Sequence, residues 1–147
     1  GVKVLDLSSY IAGPLGPRHL GSMGADVLKI ESPMGDAFRS HKGFPDFNQG
    51  KRSVCLNLKH DDARAVFYQL AAVADVIVEN FRPDVAGRLK VDYDTIAAIN
   101  PRIIYLSAPG FGMYEAMTRR PAFDPLLQSL SGAMLNQGGG VTPFIHT

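Results

Sequence analysis

Val2-Lys3-Val4-Leu5-Asp6-Leu7, then a segment from Ala12-Gly13-Pro14 to Met23, then Val27-Leu28-Lys29-Ile30-Glu31: this opening stretch decides the fold. The first run is short, alternating and β-branched, and ends in Ser8-Ser9. It hands over to residues whose apolar positions, Leu15, Leu20 and Met23, suit a helix. Gly24-Ala25-Asp26 turns the chain into the second run, which Ser32-Pro33 stops. One βαβ unit is therefore predicted to be complete by residue 31, and such units build parallel sheets.

Downstream, the pattern repeats with variations. Residues 53–58 read as a strand, and His60-Asp61-Asp62 opens a helix carrying Ala65, Val66, Leu70 and Val73. Residues 75–79 are almost wholly apolar, as an interior strand of a parallel sheet requires, and Phe81-Arg82-Pro83 breaks them. A short helix to Leu89, another from Asp92 or Tyr93 to Ile99 and a strand over 102–106 follow, with Asn100-Pro101 ending the second helix. That strand leads to Gly110-Phe111-Gly112. A last helix is expected over 123–136, preceded by Arg119-Arg120-Pro121. The fold class implied is α/β, an open and mostly parallel Rossmann-like sheet with flanking helices. Residues 32–51 lack periodicity and read as one long loop, the kind of segment in which function is worth seeking. Residues 137–147 show no closing element, so the sequence is expected to be truncated at its C-terminus.

Composition narrows the function. Of 147 residues, 46% are apolar, enough for a sizeable core, and the 15 basic against 14 acidic side chains leave a net charge of +1. A globally basic nucleic-acid-binding surface is thereby excluded. One cysteine, Cys55, rules out an internal disulfide, and it has no Cys or paired His nearby to make a zinc site, so no metal is expected. Its apolar strand places it in the core by expectation. No apolar run reaches the roughly 18 residues of a membrane span, and no apolar leader follows Gly1, so the expected location is the cytoplasm.

Several residues invite chemistry. Gly13, Gly16 and Gly21 with Glu31 suggest a dinucleotide site, but the spacing is not G-x-G-x-x-G, and Pro14 and Pro17 remove N–H donors that a pyrophosphate needs. Basic residues gather at Arg39, Lys42, Lys51, Arg52 and Lys59, and again at Arg82 and Arg88, near predicted strand ends, where a ligand with several phosphates would find both point charges and planar forks. Equally, they are what a solvated surface carries. Asp124 before Pro125 reads as a helix N-cap, and a carboxylate there is also placed to act as a nucleophile, since the helix dipole favours negative charge. The glycines at 110, 112, 132 and 138–140 would admit close backbone approach to a substrate or serve turns alone. His19, His41, His60 and His146 share no ligand or triad spacing.

Six blocks in order resemble the family III CoA-transferases, the superfamily of formyl-CoA transferase, carnitine CoA-transferase and α-methylacyl-CoA racemase. They are Val4-Leu5-Asp6-Leu7 with Ala12-Gly13-Pro14; residues 20–31; Asn48-Gln49-Gly50-Lys51-Arg52-Ser53; residues 75–83; Asn100-Pro101-Arg102-Ile103-Ile104-Tyr105; and Pro121-Ala122-Phe123-Asp124 with Gln128-Ser129-Leu130-Ser131-Gly132. The resemblance covers nearly the whole chain and corresponds to the N-terminal part of the family's large domain. It implies an interlaced homodimer, with coenzyme A or acyl-CoA and a carboxylic acid acceptor as substrates and without nucleic acid or membrane. Positions matching the family's CoA contacts are Ile11, Ala12, Leu56, Lys59, Asn80, Phe81, Arg82 and Arg88, and the matching nucleophile is Asp124. Its carboxylate would attack the thioester to form an anhydride and then an aspartyl-CoA thioester. The racemase branch carries His before this Asp as a proton carrier; Phe123 stands there instead, which disfavours that alternative. Some transferases place an Arg that stacks on adenine directly after the Lys-Ile-Glu strand, where this chain has Ser32. The other alternative is a CoA-binding fragment without turnover as isolated.

Overall fold

A computed structural model describes residues 1–112, 117, 120 and 122–137. The chain divides into two compact units, residues 1–108 and 109–147.

The first unit is built on five parallel strands. They are β1 (Lys3–Asp6), β2 (Asp26–Glu31), β3 (Arg52–Cys55), β4 (Val76–Glu79) and β5 (Ile104–Ser107), in the spatial order β3-β2-β1-β4-β5. The chain runs outward from β1 to β3, then returns across to β4 and β5. The order reverses between β1 and β4, the switch point at which open α/β sheets form their crevices. Helices α1 (Ala12–Ser22), α2 (Phe44–Asn48), α3 (Asp61–Ala72), α4 (Val85–Leu89) and α5 (Tyr93–Ile99) connect them.

Period-two alternation sends the two faces of the sheet to different tasks. Leu5, Leu7, Ile30 and Ile77 pack with Phe67 and Ala71 of α3 and Ile96 of α5 into the main core. On the opposite face Val4, Val27 and Val78 form a smaller cluster with Leu20 of α1. One step further along that face the register pairs Asp6 with Lys29, and both are fully buried. The face thus changes from apolar to charged as it reaches the carboxyl ends. Gly13 is required at the start of α1 because a Cβ there would lie 2.5 Å from Ser8 Cβ and 2.9 Å from the Asn80 side chain; it permits close packing of the helix start against the residues that follow β1 and β4. Asn100 explains the Asn-Pro signal. Buried, it donates to the carbonyls of Ala71 and Ala74 at 3.0 and 2.8 Å and closes the end of α3.

Several expectations need correction. The stretch 32–51 contains α2, where Pro45 sits in the first turn and fits the fixed φ of a helix start. β3 stops at Cys55 rather than residue 58, and β5 begins at Ile104 rather than residue 102. Cys55 is exposed, because β3 is an edge strand. In the second unit the expected single helix is two, α6 (Asp124–Ser131) and α7 (Ala133–Gln137), separated where Gly132 takes a left-handed φ of 78°. Phe123 is the N-cap of α6 and Asp124 its first helical residue, so the Asp124 side chain does not cap. Gly138–Gly140, His146 and the expected terminal loop, with Arg119 and Pro121, lie outside the described residues.

Candidate functional site

At the carboxyl ends of β1, β2 and β3 lies a cleft of about 220 Å³. Its walls are Leu7, Ser8 and Ser9 after β1, residues 29–32 of β2 and its exit, Gly35 and Asp36, residues 56–59 after β3, and Phe81 and Leu89 from the segment around α4. The volume suits part of a ligand, a ring or a chain, rather than a whole cofactor, since complete small-molecule pockets run from roughly 300 Å³ upward.

The strand ends make the local geometry. Glu79, 3% exposed, accepts the Phe81 N–H at 2.6 Å and folds the end of β4 back, which sends Phe81 into the cleft. Asn80 turns to the other side. Its amide oxygen accepts the Ser9 N–H and its amide nitrogen donates to the Ser9 carbonyl, both at 2.9 Å, which bridges the switch point by a side chain acting like a strand rung.

Beneath the turn between β1 and α1 is a buried set of charges. The Lys51 ammonium reaches Asp6 Oδ2 at 2.7 Å, the Pro14 carbonyl at 2.8 Å and Asn48 Oδ1 at 3.1 Å. Burial pushes Lys51 below the ordinary lysine value, and the attraction of Asp6 offsets this in part. Lys29 donates to the Ser8 carbonyl at 2.7 Å and faces Asp36 Oδ2 at 3.0 Å. That last contact is an ion pair without hydrogen-bond alignment, because Asp36 Oδ2 receives no well-oriented donor. Above them Glu31 binds the Arg39 guanidinium and accepts the Asp36 N–H at 3.1 Å. Burial alone would raise the Glu31 carboxyl, but the hydrogen bonds from Arg39 and Asp36 hold it below its ordinary 4.5.

The predicted contact residues divide accordingly. Leu56, Lys59 and Phe81 line the cleft. Ile11 and Ala12 open α1 and are exposed. Asn80 does not line it; its amide is engaged with Ser9. Arg82 and Arg88 are exposed at either end of α4, the helix whose Leu89 reaches the cleft. Of the basic residues flagged as a phosphate cluster, Lys51 is buried against Asp6, Arg39 pairs with Glu31, and Arg52 pairs with Asp26 at 2.7 Å, at the amino ends of the strands. Lys59, Arg82 and Arg88 have no ion pair among the described residues. Sequence reading missed Ser8, Ser9, Lys29 and Asp36 as cleft walls; the alternation that buries Lys29 beside Asp6 was the available signal. Glu31, the would-be ribose acid, is occupied by Arg39.

In the second unit, Asp124 is exposed at the first position of α6 and accepts from the Gln128 amide one turn on. Gly110 packs tightly there, since a Cβ would meet Ala122 Cβ at 2.3 Å. Among the described residues no group of three His, Cys, Asp or Glu could hold a metal ion, and no helix is long and apolar enough to cross a membrane.

Comparison with known proteins shows the family. Residues 1–147 match the family described as CoA-transferase family III. The acetyl-CoA:oxalate CoA-transferase of Acetobacter aceti is 41% identical over 147 residues, which cover 94% of this chain and 38% of that protein. The succinyl-CoA:glutarate CoA-transferase of Mus musculus is 35% identical over 144 residues, 91% of this chain and 33% of that one. Among solved structures, a hypothetical protein from Mycobacterium tuberculosis superimposes with a TM-score of 0.87 at 33% identity, covering 91% of this chain and 40% of that one. A CAIB/BAIF family protein from Brucella suis gives 0.83 at 34% identity, with 91% and 39% covered. The chain thus spans between 33% and 40% of the length of these relatives.

Proposed function

We propose, for a chain that belongs to CoA-transferase family III across residues 1–147, that it serves to move CoA from an acyl-CoA thioester to an acceptor carboxylic acid. The observation that carries this reading is the cleft at the carboxyl edge, whose apolar walls Leu56, Phe81 and Leu89 adjoin an exposed cation, Lys59. An adenine or pantetheine segment needs the first and a phosphate the second. Arg82 and Arg88, exposed and without an ion pair among the described residues, supply further donors for phosphate. Ile11 and Ala12 are the remaining contacts, through a backbone turn that Asn80 holds by both its amide atoms.

Asp124 is the nucleophile in this proposal. Its carboxylate attacks the thioester carbonyl, the C–S bond breaks, and CoA leaves as a thiolate, which gives an aspartyl-acyl anhydride. The thiolate then attacks the aspartyl carbonyl and releases the donor acid. An acceptor carboxylate attacks the resulting aspartyl-CoA thioester, and the freed thiolate takes the acceptor's acyl group from the second anhydride. Asp124 is regenerated, with the thioester's energy conserved through each exchange. Relatives named for oxalate, malate, glutarate and mesaconate support a dicarboxylic acid as acceptor. Phe123 carries no exchangeable proton, which argues against racemisation at the acyl α-carbon. The protein acts as an interlaced homodimer in the cytoplasm in this reading.

The test is Asp124→Asn in the full-length protein. Asn keeps an oxygen for the Gln128 amide but cannot form the anhydride. Transfer should fall by more than about a thousandfold while CoA affinity stays within about twofold. Retained transfer would overturn the assignment.

A further inference from the structure

We propose that Asp36 is a positioning residue for the CoA cleft, acting with Lys29 to hold the turn between β1 and α1 in the conformation that presents Ile11 and Ala12; this rests on the reading of the cleft as the CoA site. The turn needs holding. Tyr10 sits at φ 64°, in the left-handed region, without being glycine, and such strain persists where surrounding contacts over-determine the backbone.

Those contacts come from below. Asp36 Oδ1 accepts the Tyr10 N–H at 3.3 Å and the Phe38 N–H at 2.9 Å, while Lys29 faces the other oxygen and donates to the Ser8 carbonyl. The Lys29 and Asp36 side chains are 2% and 1% exposed, so water does not compete for these links. From above little grips the turn, since Tyr10 is 57% and Ile11 43% exposed. Asn80 fixes Ser9 from the β4 side. The turn is therefore pinned at three successive residues: the Lys29–Asp36 pair reaches Ser8 and Tyr10, Asn80 holds Ser9, and Asp6 Oδ1 also accepts the Ser8 N–H and hydroxyl, which leaves Asp36 as the acceptor at the strained Tyr10. Lys29 and Asp36 also form part of the cleft wall with Ser8 and Ser9. Any release of Tyr10 changes the surface a ligand meets.

This gives the segment 32–43 a task distinct from covering the site: it delivers a carboxylate beneath the turn. A merely structural ion pair would lower stability and leave ligand affinity alone. A positioning pair shifts affinity through the turn, and does so less when the turn no longer resists.

The experiment measures two quantities on the full-length protein and on Asp36→Ala, Asp36→Asn and Asp36→Ala/Tyr10→Gly: CoA affinity by titration, and hydrogen exchange of residues 8–12 without ligand. Asp36→Ala should weaken CoA about tenfold and speed exchange at 8–12, with protection of Val4 and Ile77 retained. Asp36→Asn, which keeps the acceptor for Tyr10 but not the ion pair, should fall between. Glycine at position 10 adopts the left-handed conformation freely and should recover part of the lost affinity. Unchanged affinity with unchanged exchange at 8–12, or a loss of thermal stability alone, would overturn the proposal. If Asp36→Ala does not fold, Asp36→Asn decides by the same two readings. Failure of the wild-type protein to bind CoA would instead overturn the functional reading, and the exchange data would still judge the brace.

Discussion

Two groups of cations meet at the same edge of the sheet and have opposite fates. Lys29 and Lys51 lie under the β1–α1 turn, each side chain 2% exposed and facing a buried carboxylate. Lys59, Arg82 and Arg88 stand in solvent around the cleft and α4. A count of basic residues near strand ends treats these alike. What separates them is direction: Lys29 is on the inward side of an alternating strand, and Lys51 is drawn to Asp6 on the adjacent buried face. Their charges hold protein to protein. The exposed three remain available to a ligand, because nothing among the described residues neutralises them.

Removing one member of each group separates the two roles. Lys51→Met leaves Asp6 charged, buried and unpaired, and should lower folding stability by about 3–5 kcal/mol, read by denaturant titration. A loss under about 1 kcal/mol would mean that the Lys51 site is no different from a surface charge. Arg88→Ala should do the converse. Stability should stay within about 0.5 kcal/mol, while CoA binding weakens by roughly 1.5–3 kcal/mol, the worth of a charged hydrogen bond to phosphate. Unchanged CoA affinity would retire Arg88 as a contact.

Arg39 sits between the two groups, half exposed and paired with the nearly buried Glu31. The folded Glu31 carboxyl titrates below its ordinary 4.5, so its contribution is fully present above that value and is lost as pH falls through the lower folded one. Arg39→Gln should therefore cost about 0.5 kcal/mol near neutral pH, since an exposed partner is screened. The gap to wild type should narrow as pH falls from 4.5 through the lower folded value. Thermal melts across that range would show it, and a gap that is constant with pH would contradict the pairing.

The sheet was legible in the sequence because its strands state their own period. Residues 2–7, 27–31 and 75–79 alternate or run apolar between clear stops, and the β1 and β2 patterns carry Asp6 and Lys29 on one face. What failed was local. Cys55 looks internal by its neighbours, but edge position is a property of strand order, which no window of sequence contains. α2 was hidden in a segment rich in turn-formers, where five residues give too short a period to read. Asp124 before Pro125 signalled a helix start and missed the cap by one residue; the N-cap is Phe123, whose extended backbone rather than its side chain begins α6. Of the cleft's walls, Leu56, Lys59 and Phe81 had been flagged through resemblance. Asp36 was not, because its role depends on Lys29 and Tyr10, 7 and 26 residues away, meeting it in space.

Covalent transfer through the Asp124 carboxylate is the centre of the proposed function. Incubating the full-length protein with acyl-CoA, quenching with hydroxylamine and sequencing peptides by mass spectrometry tests it without inference from activity. A hydroxamate should appear on Asp124 and be absent when acyl-CoA is omitted. An unmodified Asp124 in an enzyme that still transfers CoA would contradict it.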